Sequence, residues 1–343
     1  MDNIIEVKNL KTKFKTEDGE FFAVDDISFH LKKGQTLGIV GESGCGKSVT
    51  SLSMMRLIQN PGKIESGEIL YRQSDLLYQQ RDLLKLSESE MQKIRGAEIA
   101  MIFQEPMTSL NPVFTIVFQI DETIQTHEPQ LTQTEIKNRS VELLKKVGIS
   151  SPESRYFEYP HQLSGGMRQR VMIAMAMACN PQVLIADEPT TALDVTIQAQ
   201  ILDLIRKLQK DNQTAVILIT HDLGVVAEMC DEVAVMYAGQ MIEYGTVDDI
   251  FYRPAHPYTK GLLDSIPHFE SGTKLDRLKT IPGMVPSLMD LPQGCRFNDR
   301  CTYAQDKCLL QKPNLEPMTS HFSTHRAACF FPLMIDRRKG DGL

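Results

Sequence analysis

The chain has 343 residues, 42% of them apolar and 24% charged, which suits one large folded domain with an appendage. Asp and Glu outnumber Lys and Arg by 44 to 37, and the resulting net charge of -7 argues against broad nucleic-acid binding. No apolar run approaches the roughly 20 residues that cross a bilayer; the longest clear stretch is Val171 to Cys179, and acidic Asp2 and Glu6 argue against a secretory leader.

Residues Ile4 to Lys15 and Phe21 to Leu31, joined through Asp18-Gly19, read as an antiparallel hairpin, with Phe14 in its first strand. A short apolar strand, Leu37 to Val40, then runs into Gly41-Glu-Ser-Gly-Cys-Gly-Lys47-Ser48 and a helix-forming stretch to Ile58. That strand–loop–helix context is what G-x-x-x-x-G-K-[ST] needs to act as a phosphate loop. Gly41, Gly44 and Gly46 let the backbone close on phosphate oxygens, and successive N–H groups at the helix N-terminus supply positive potential. Ser43, Cys45 and Val49 join them as candidate nucleotide contacts. Lys47 is expected to reach the β- and γ-phosphates and the Ser48 hydroxyl to bind Mg²⁺. Cys45, beside Lys47 and a helix N-terminus, is expected to favour its thiolate and to be the most alkylation-sensitive core cysteine.

Tyr71 to Ile94 is polar and Gln/Leu-rich, and reads as a solvated segment or helical excursion before the strand Ile99 to Phe103 and Gln104. About residues 105 to 163 read as a helical subdomain inserted into the sheet domain. Within it Leu131 to Val147 is amphipathic and closed by Gly148. Ser164 is a good N-cap for a helix over Arg168 to Ala178, and Gly165 and Gly166 beside it expose N–H groups at a positive helix end, an anion site. Val183 to Ala186 reads as a buried parallel strand ending in Asp187 and Glu188, where open α/β sheets bind ligands. Asp187 suits Mg²⁺, and Glu188 is placed to act as general base. A second strand, Ala215 to Thr220, ends in His221-Asp222 in the same manner.

After about residue 253 prolines accumulate, in Arg253-Pro254-Ala-His256-Pro257-Tyr258-Thr259, Ile266-Pro267, Ile281-Pro282 and Val285-Pro286. Prolines at that density predict an irregular extension. Four of the seven cysteines lie there: Cys295, Cys301, Cys308 and Cys329. Four thiolates can close a zinc site or hold an iron–sulfur cluster; the absence of a C-x-x-C knuckle weakens zinc, and unligated packing cysteines are the third reading.

Phosphate loop, Gln104, Leu163-Ser164-Gly165-Gly166-Met167, Asp187-Glu188, Ala192-Leu193-Asp194 and His221 together resemble the nucleotide-binding subunit of an ABC transporter over about residues 1 to 250. The resemblance implies an α/β P-loop NTPase cassette with an antiparallel β-subdomain and an inserted helical subdomain. It places Phe14 against adenine, His221 at the γ-phosphate, and Gln104 between Mg²⁺, water and a transmembrane partner. Ala192 to Asp194 then lie at a dimer seam, and Ser164 to Gly166 cap the γ-phosphate held by the opposite subunit, a paralogue or a second copy. Met167 stands where many members have Gln.

The HPYT stretch and Gln104-Glu-Pro-Met-Thr-Ser-Leu-Asn-Pro112 resemble oligopeptide and dipeptide importer ATPases, with nickel importers as a neighbouring branch. On that resemblance residues 1–253 form the cassette and 254–343 the extension. The activity implied is ATP hydrolysis at the cytoplasmic face of the membrane. It drives uptake through two transmembrane permease subunits fed by an extracytoplasmic peptide-binding protein. Similar tails carry a [4Fe–4S] cluster, so the resemblance implies one at Cys295, Cys301, Cys308 and Cys329. A soluble ABC ATPase of DNA repair or translation would typically carry two cassettes or a coiled-coil insertion, and neither is visible. Intact Glu188 and His221 argue against a module that senses ATP without turnover.

Overall fold

The computed structural model describes residues 3–73, 80–105, 109–266, 280–318 and 324–339. Pro267 of the extension and positions 106–108 of the Gln104 segment lie outside them. The strands in chain order are β1 (Asn3–Thr16), β2 (Gly19–Lys32), β3 (Thr36–Val40), β4 (Gly62–Arg72), β5 (Gln80–Asp82) and β6 (Ile99–Ile102). They continue with β7 (Val183–Asp187), β8 (Ala215–Ile219), β9 (Glu232–Tyr237), β10 (Gln240–Thr246), β11 (Glu316–Pro317) and β12 (Arg326–Ala327). The chain divides into two compact units, and the division does not follow the chain order.

The first unit takes residues 1–5, 31–36 and 70–219. Its sheet is parallel: Ile99 of β6 stands opposite Val183 of β7, and Val183 opposite Ala215 of β8. All residues of these three strands are buried, the pattern of strands covered on both faces, which is why they read as unbroken apolar runs. Between β6 and β7 lie the helices Ile116–His127, Gln133–Lys146 and Pro152–Arg155. Thr115 and Thr132 cap the first two, and Glu135 completes a capping box with Thr132. Asp121 ties the group together by accepting the hydroxyls of Ser140 and Tyr156.

The segment before β6 differs from the sequence reading. β4 continues through Tyr71 to Arg72 and pairs antiparallel with β5, Tyr71 opposite Arg81. The one described helix there is Glu88–Ile94, opened by a Ser87–Glu90 capping box. A three-residue polar strand carries no alternation to betray it.

The second unit takes residues 6–30, 37–69 and 220–343, so it contains both the phosphate loop and the C-terminal extension. β1 and β2 are sheet neighbours joined by two residues, as a hairpin requires. β3 runs parallel to β9, β9 antiparallel to β10, and the short strands β12 and β11 continue from β10. One core joins Val233, Val235, Tyr237, Ile250, Tyr258, Phe297 and Ala328. Phe297 meets Tyr237 and Tyr258 edge-on, with ring centroids 5.3 and 5.4 Å away. Arg296 bonds the Ala238 carbonyl and the Asp25 carboxylate.

That packing corrects the expectation of a [4Fe–4S] cluster. Among the described residues no group of three or more His, Cys, Asp or Glu side chains is arranged to hold a metal ion. Cys295, Cys301, Cys308 and Cys329 line an apolar cavity with Phe297 and Phe330. Burial there pushes the thiols of Cys295 and Cys301 up, and that of Cys329 to about 11. Phe297 and Ala328 of the extension share the core of the phosphate-loop unit.

Candidate nucleotide site

In the second unit the buried strand β3 delivers Gly41 into the loop, and the helix Lys47–Met54 begins directly after Gly46. Gly46 has φ 102°, and a Cβ there would lie 2.2 Å from the Ala23 carbonyl oxygen. At Gly41 a Cβ would stand 2.2 Å from the Met236 carbonyl oxygen. No other residue fits either position. Ser43 and Gly44 are exposed, and Ser48 and Val49 are half-buried. Lys47 is 5% exposed and donates from Nζ to the carbonyls of Gly41 (2.8 Å) and Glu42 (3.1 Å). Its remaining acceptor nearby is the weak one of Cys45 Sγ, at 3.9 Å.

Cys45 itself reverses the expectation made for it. Its side chain is fully buried, and burial pushes the thiol up despite the opposing charge of Lys47. Desolvation outweighs one neighbouring ammonium. Phe14 is half-buried and stacks on Phe21 at 5.7 Å, and a Cβ at Gly62 would come within 2.7 Å of its ring. His221 is exposed, one residue before Asp222, which caps the helix Leu223–Met229 through the N–H groups of Gly224 and Val225.

In the first unit Asp187 closes β7 at 3% exposure. Glu188 follows in a left-handed conformation, φ 46°, its N–H bonded to the Ile219 carbonyl at the end of β8. Its Oε2 accepts the Thr191 hydroxyl at 2.8 Å and Gln104 Nε2 at 3.1 Å. Ser164 caps the helix Gly165–Ala176 by accepting the Met167 N–H, and Ser164 and Gly165 are exposed. Gln169 of that helix is buried and donates to the Pro189 carbonyl, bracing the turn after Glu188. Asp194 caps the helix Val195–Asn212.

Residues 24–191 match the profile of the ABC transporter family, and residues 242–308 that of the oligopeptide/dipeptide transporter C-terminal region. The chain is 52% identical over 331 residues to the oligopeptide transport ATP-binding protein AppD of Bacillus subtilis, covering 96% of this chain and 97% of that protein. It belongs to the ABC transporter family. The dipeptide transport ATP-binding protein DppD of Haemophilus influenzae is 51% identical over 330 residues, 96% of each chain. Among solved structures, the dimeric bacterial ABC transporter cassette MJ0796 is 28% identical with a TM-score of 0.62, over 71% of this chain and 98% of that one.

Beyond the motif residues, this ABC family member uses side chains that its sequence did not single out. Thr191 and Gln169 are ordinary polar residues with no spacing that marks them. Tyr258, whose hydroxyl accepts the Glu42 N–H, stood out only as part of HPYT, and Arg300, which pairs with the Glu42 carboxylate, not at all.

Proposed function

We propose that this chain is the ATPase subunit of an ABC importer of dipeptides or oligopeptides. The observation that carries the reading is Glu188, set one residue past a buried parallel strand with its carboxylate held by Gln104 and Thr191. A fixed carboxylate at that point suits a general base that takes a proton from the attacking water. Gln104 and Thr191 orient it, and Asp187 and the Ser48 hydroxyl offer hard oxygen donors, the ligand type Mg²⁺ takes. Bound Mg²⁺ would neutralise charge developing on the phosphates.

In the same reading Phe14 stacks on adenine. Gly41, Ser43, Gly44, Cys45, Gly46, Lys47, Ser48 and Val49 enclose the phosphates, and His221 senses the γ-phosphate. Ser164, Gly165 and Gly166 present N–H groups to nucleotide held by a second cassette, a paralogue or a copy. Residues 1–253 act as the cassette and 254–343 as the extension. The relatives named for oligopeptide and dipeptide transport support peptide over nickel as cargo. Exposed Val113, Phe114, Phe118 and Phe157 give the helical part an apolar surface suited to permease subunits at the cytoplasmic face. An extracytoplasmic peptide-binding protein would complete the importer.

The test is Glu188→Gln in the assembled transporter. ATP hydrolysis should fall by about 10²–10⁴-fold while nucleotide binding persists. Turnover near the wild-type rate would remove Glu188 as the base.

A further inference from the structure

We infer that the C-terminal extension acts as a clamp on the phosphate loop, with Arg300 and Tyr258 as positioning residues that act through Glu42 to set nucleotide affinity. Glu42 is the second residue of the loop; its carbonyl accepts the Cys45 N–H within the loop, and three side chains hold it besides. Its N–H donates to the Tyr258 hydroxyl at 2.9 Å. Its carboxylate receives both terminal nitrogens of Arg300, at 2.7 and 3.0 Å. Its carbonyl receives Lys47 Nζ at 3.1 Å. Two of these three partners belong to the extension, and the third is the lysine proposed to meet the phosphates.

The extension is built to hold both groups rigidly. Tyr258 is fully buried, in the first turn of the helix Pro257–Asp264, and stacks obliquely on Tyr237 at 4.7 Å. Arg300 is 7% exposed, its Nε donates to the Pro282 carbonyl at 2.9 Å, and its guanidinium lies over the rings of Tyr237 and Phe297. A bidentate guanidinium–carboxylate pair fixes orientation as well as distance. An exposed ion pair would carry little energy, but this arginine is buried and over-determined. Its position therefore passes to the Glu42 backbone, and through the Glu42 carbonyl to Lys47.

The inference rests on the reading of Gly41–Ser48 as the nucleotide site, and the measurements separate the two. Dissociation constants for ADP and a non-hydrolysable ATP analogue are measured on the full chain by titration calorimetry, with thermal midpoints alongside. Lys47→Ala should abolish binding; unaltered binding would sink the nucleotide-site reading and the clamp with it. Given that loss, Arg300→Met and Glu42→Gln should each weaken binding roughly tenfold. The double variant should be no weaker than either single one, because both remove the same link. Arg300→Lys should recover part of the loss, and Tyr258→Phe, which keeps the ring but removes the acceptor, should weaken binding a few-fold. Arg337→Gln breaks an ion pair with Asp264 inside the extension, away from the loop, and should lower the midpoint while leaving affinity unchanged. Wild-type affinity in folded Arg300→Met, additive losses in the double variant, or an equal loss in Arg337→Gln would each overturn the clamp. If Arg300→Met fails to fold, the affinities of Arg300→Lys and Tyr258→Phe take its place, and wild-type values in both would overturn the clamp equally.

Discussion

Glu188 and Gly46 show how single positions are constrained by chemistry that composition does not reveal. Glu188 adopts φ 46°, a conformation costly for a residue with a Cβ, and is held there by Ile219, Thr191 and Gln104. Strain retained at a residue held through both its backbone N–H and its carboxylate is the mark of a site where orientation matters more than local stability. Thr191→Val should accordingly lower turnover without weakening nucleotide binding, measured as a fall in kcat at constant Kd; equal loss of both would assign Thr191 to binding. Gly46 is the opposite case, a residue chosen for what it lacks. Gly46→Ala forces a Cβ into φ 102° and against the Ala23 carbonyl. It should cost at least about 3 kcal/mol in chemical denaturation and remove nucleotide binding. A variant with wild-type stability would mean the loop relaxes freely.

At the scale of elements, the helix Pro257–Asp264 carries a pH dependence. His256 is its N-cap, with Nδ1 accepting the Tyr258 N–H, and it is 1% exposed. Burial lowers its pKa from 6.5 to about 3. The unfolded chain therefore binds a proton that the folded chain refuses, so this contribution to stability is complete above pH 6.5. It declines as the pH falls toward 3, by about 2 kcal/mol at pH 5. His256→Asn keeps a capping acceptor and removes the titration. Urea midpoints at pH 7 and pH 5 should draw together in the variant relative to wild type, and an unchanged pH difference would place the effect elsewhere. The signature helix shows a different economy of means. Ser164 caps it, while Gly166 lies where a Cβ would come within 2.8 Å of Ile197. The serine and the second glycine thus have structural duties beside the anion-binding role proposed for them.

At the scale of the molecule, the extension is part of the core of the phosphate-loop unit and not a separate appendage. Phe297 is 4% exposed among Tyr237, Tyr258 and His256. Phe297→Ala should therefore destabilise that unit by about 3–5 kcal/mol, read by denaturant unfolding. A loss below about 1 kcal/mol would restore the picture of a loosely attached tail. The proposed second cassette is tested by mass. With Mg-ATP, light scattering of Glu188→Gln, alone or mixed with a paralogous cassette, should report a doubled or summed mass. A monomer in both samples would remove the shared site.

The linear order of residues determined the phosphate loop, the strands read as Val183 to Ala186 and Ala215 to Thr220, and a helical stretch between Gln104 and Ser164 with its amphipathic helix over Leu131 to Val147. These rest on spacing, unbroken apolar runs and caps, which act between neighbours in the chain and are visible there. Tertiary structure alone decided that Cys45 is buried with its thiol pushed up, because desolvation depends on remote segments such as the one whose Gly239 N–H bonds the Cys45 carbonyl. It alone decided that the four cysteines of the extension share an apolar cavity and no metal-binding arrangement. It also brought Arg300 to Glu42, 258 positions apart in sequence. No local propensity encodes such a pairing; it exists only because Tyr237, Tyr258 and Phe297 close into one core and carry the guanidinium to the loop.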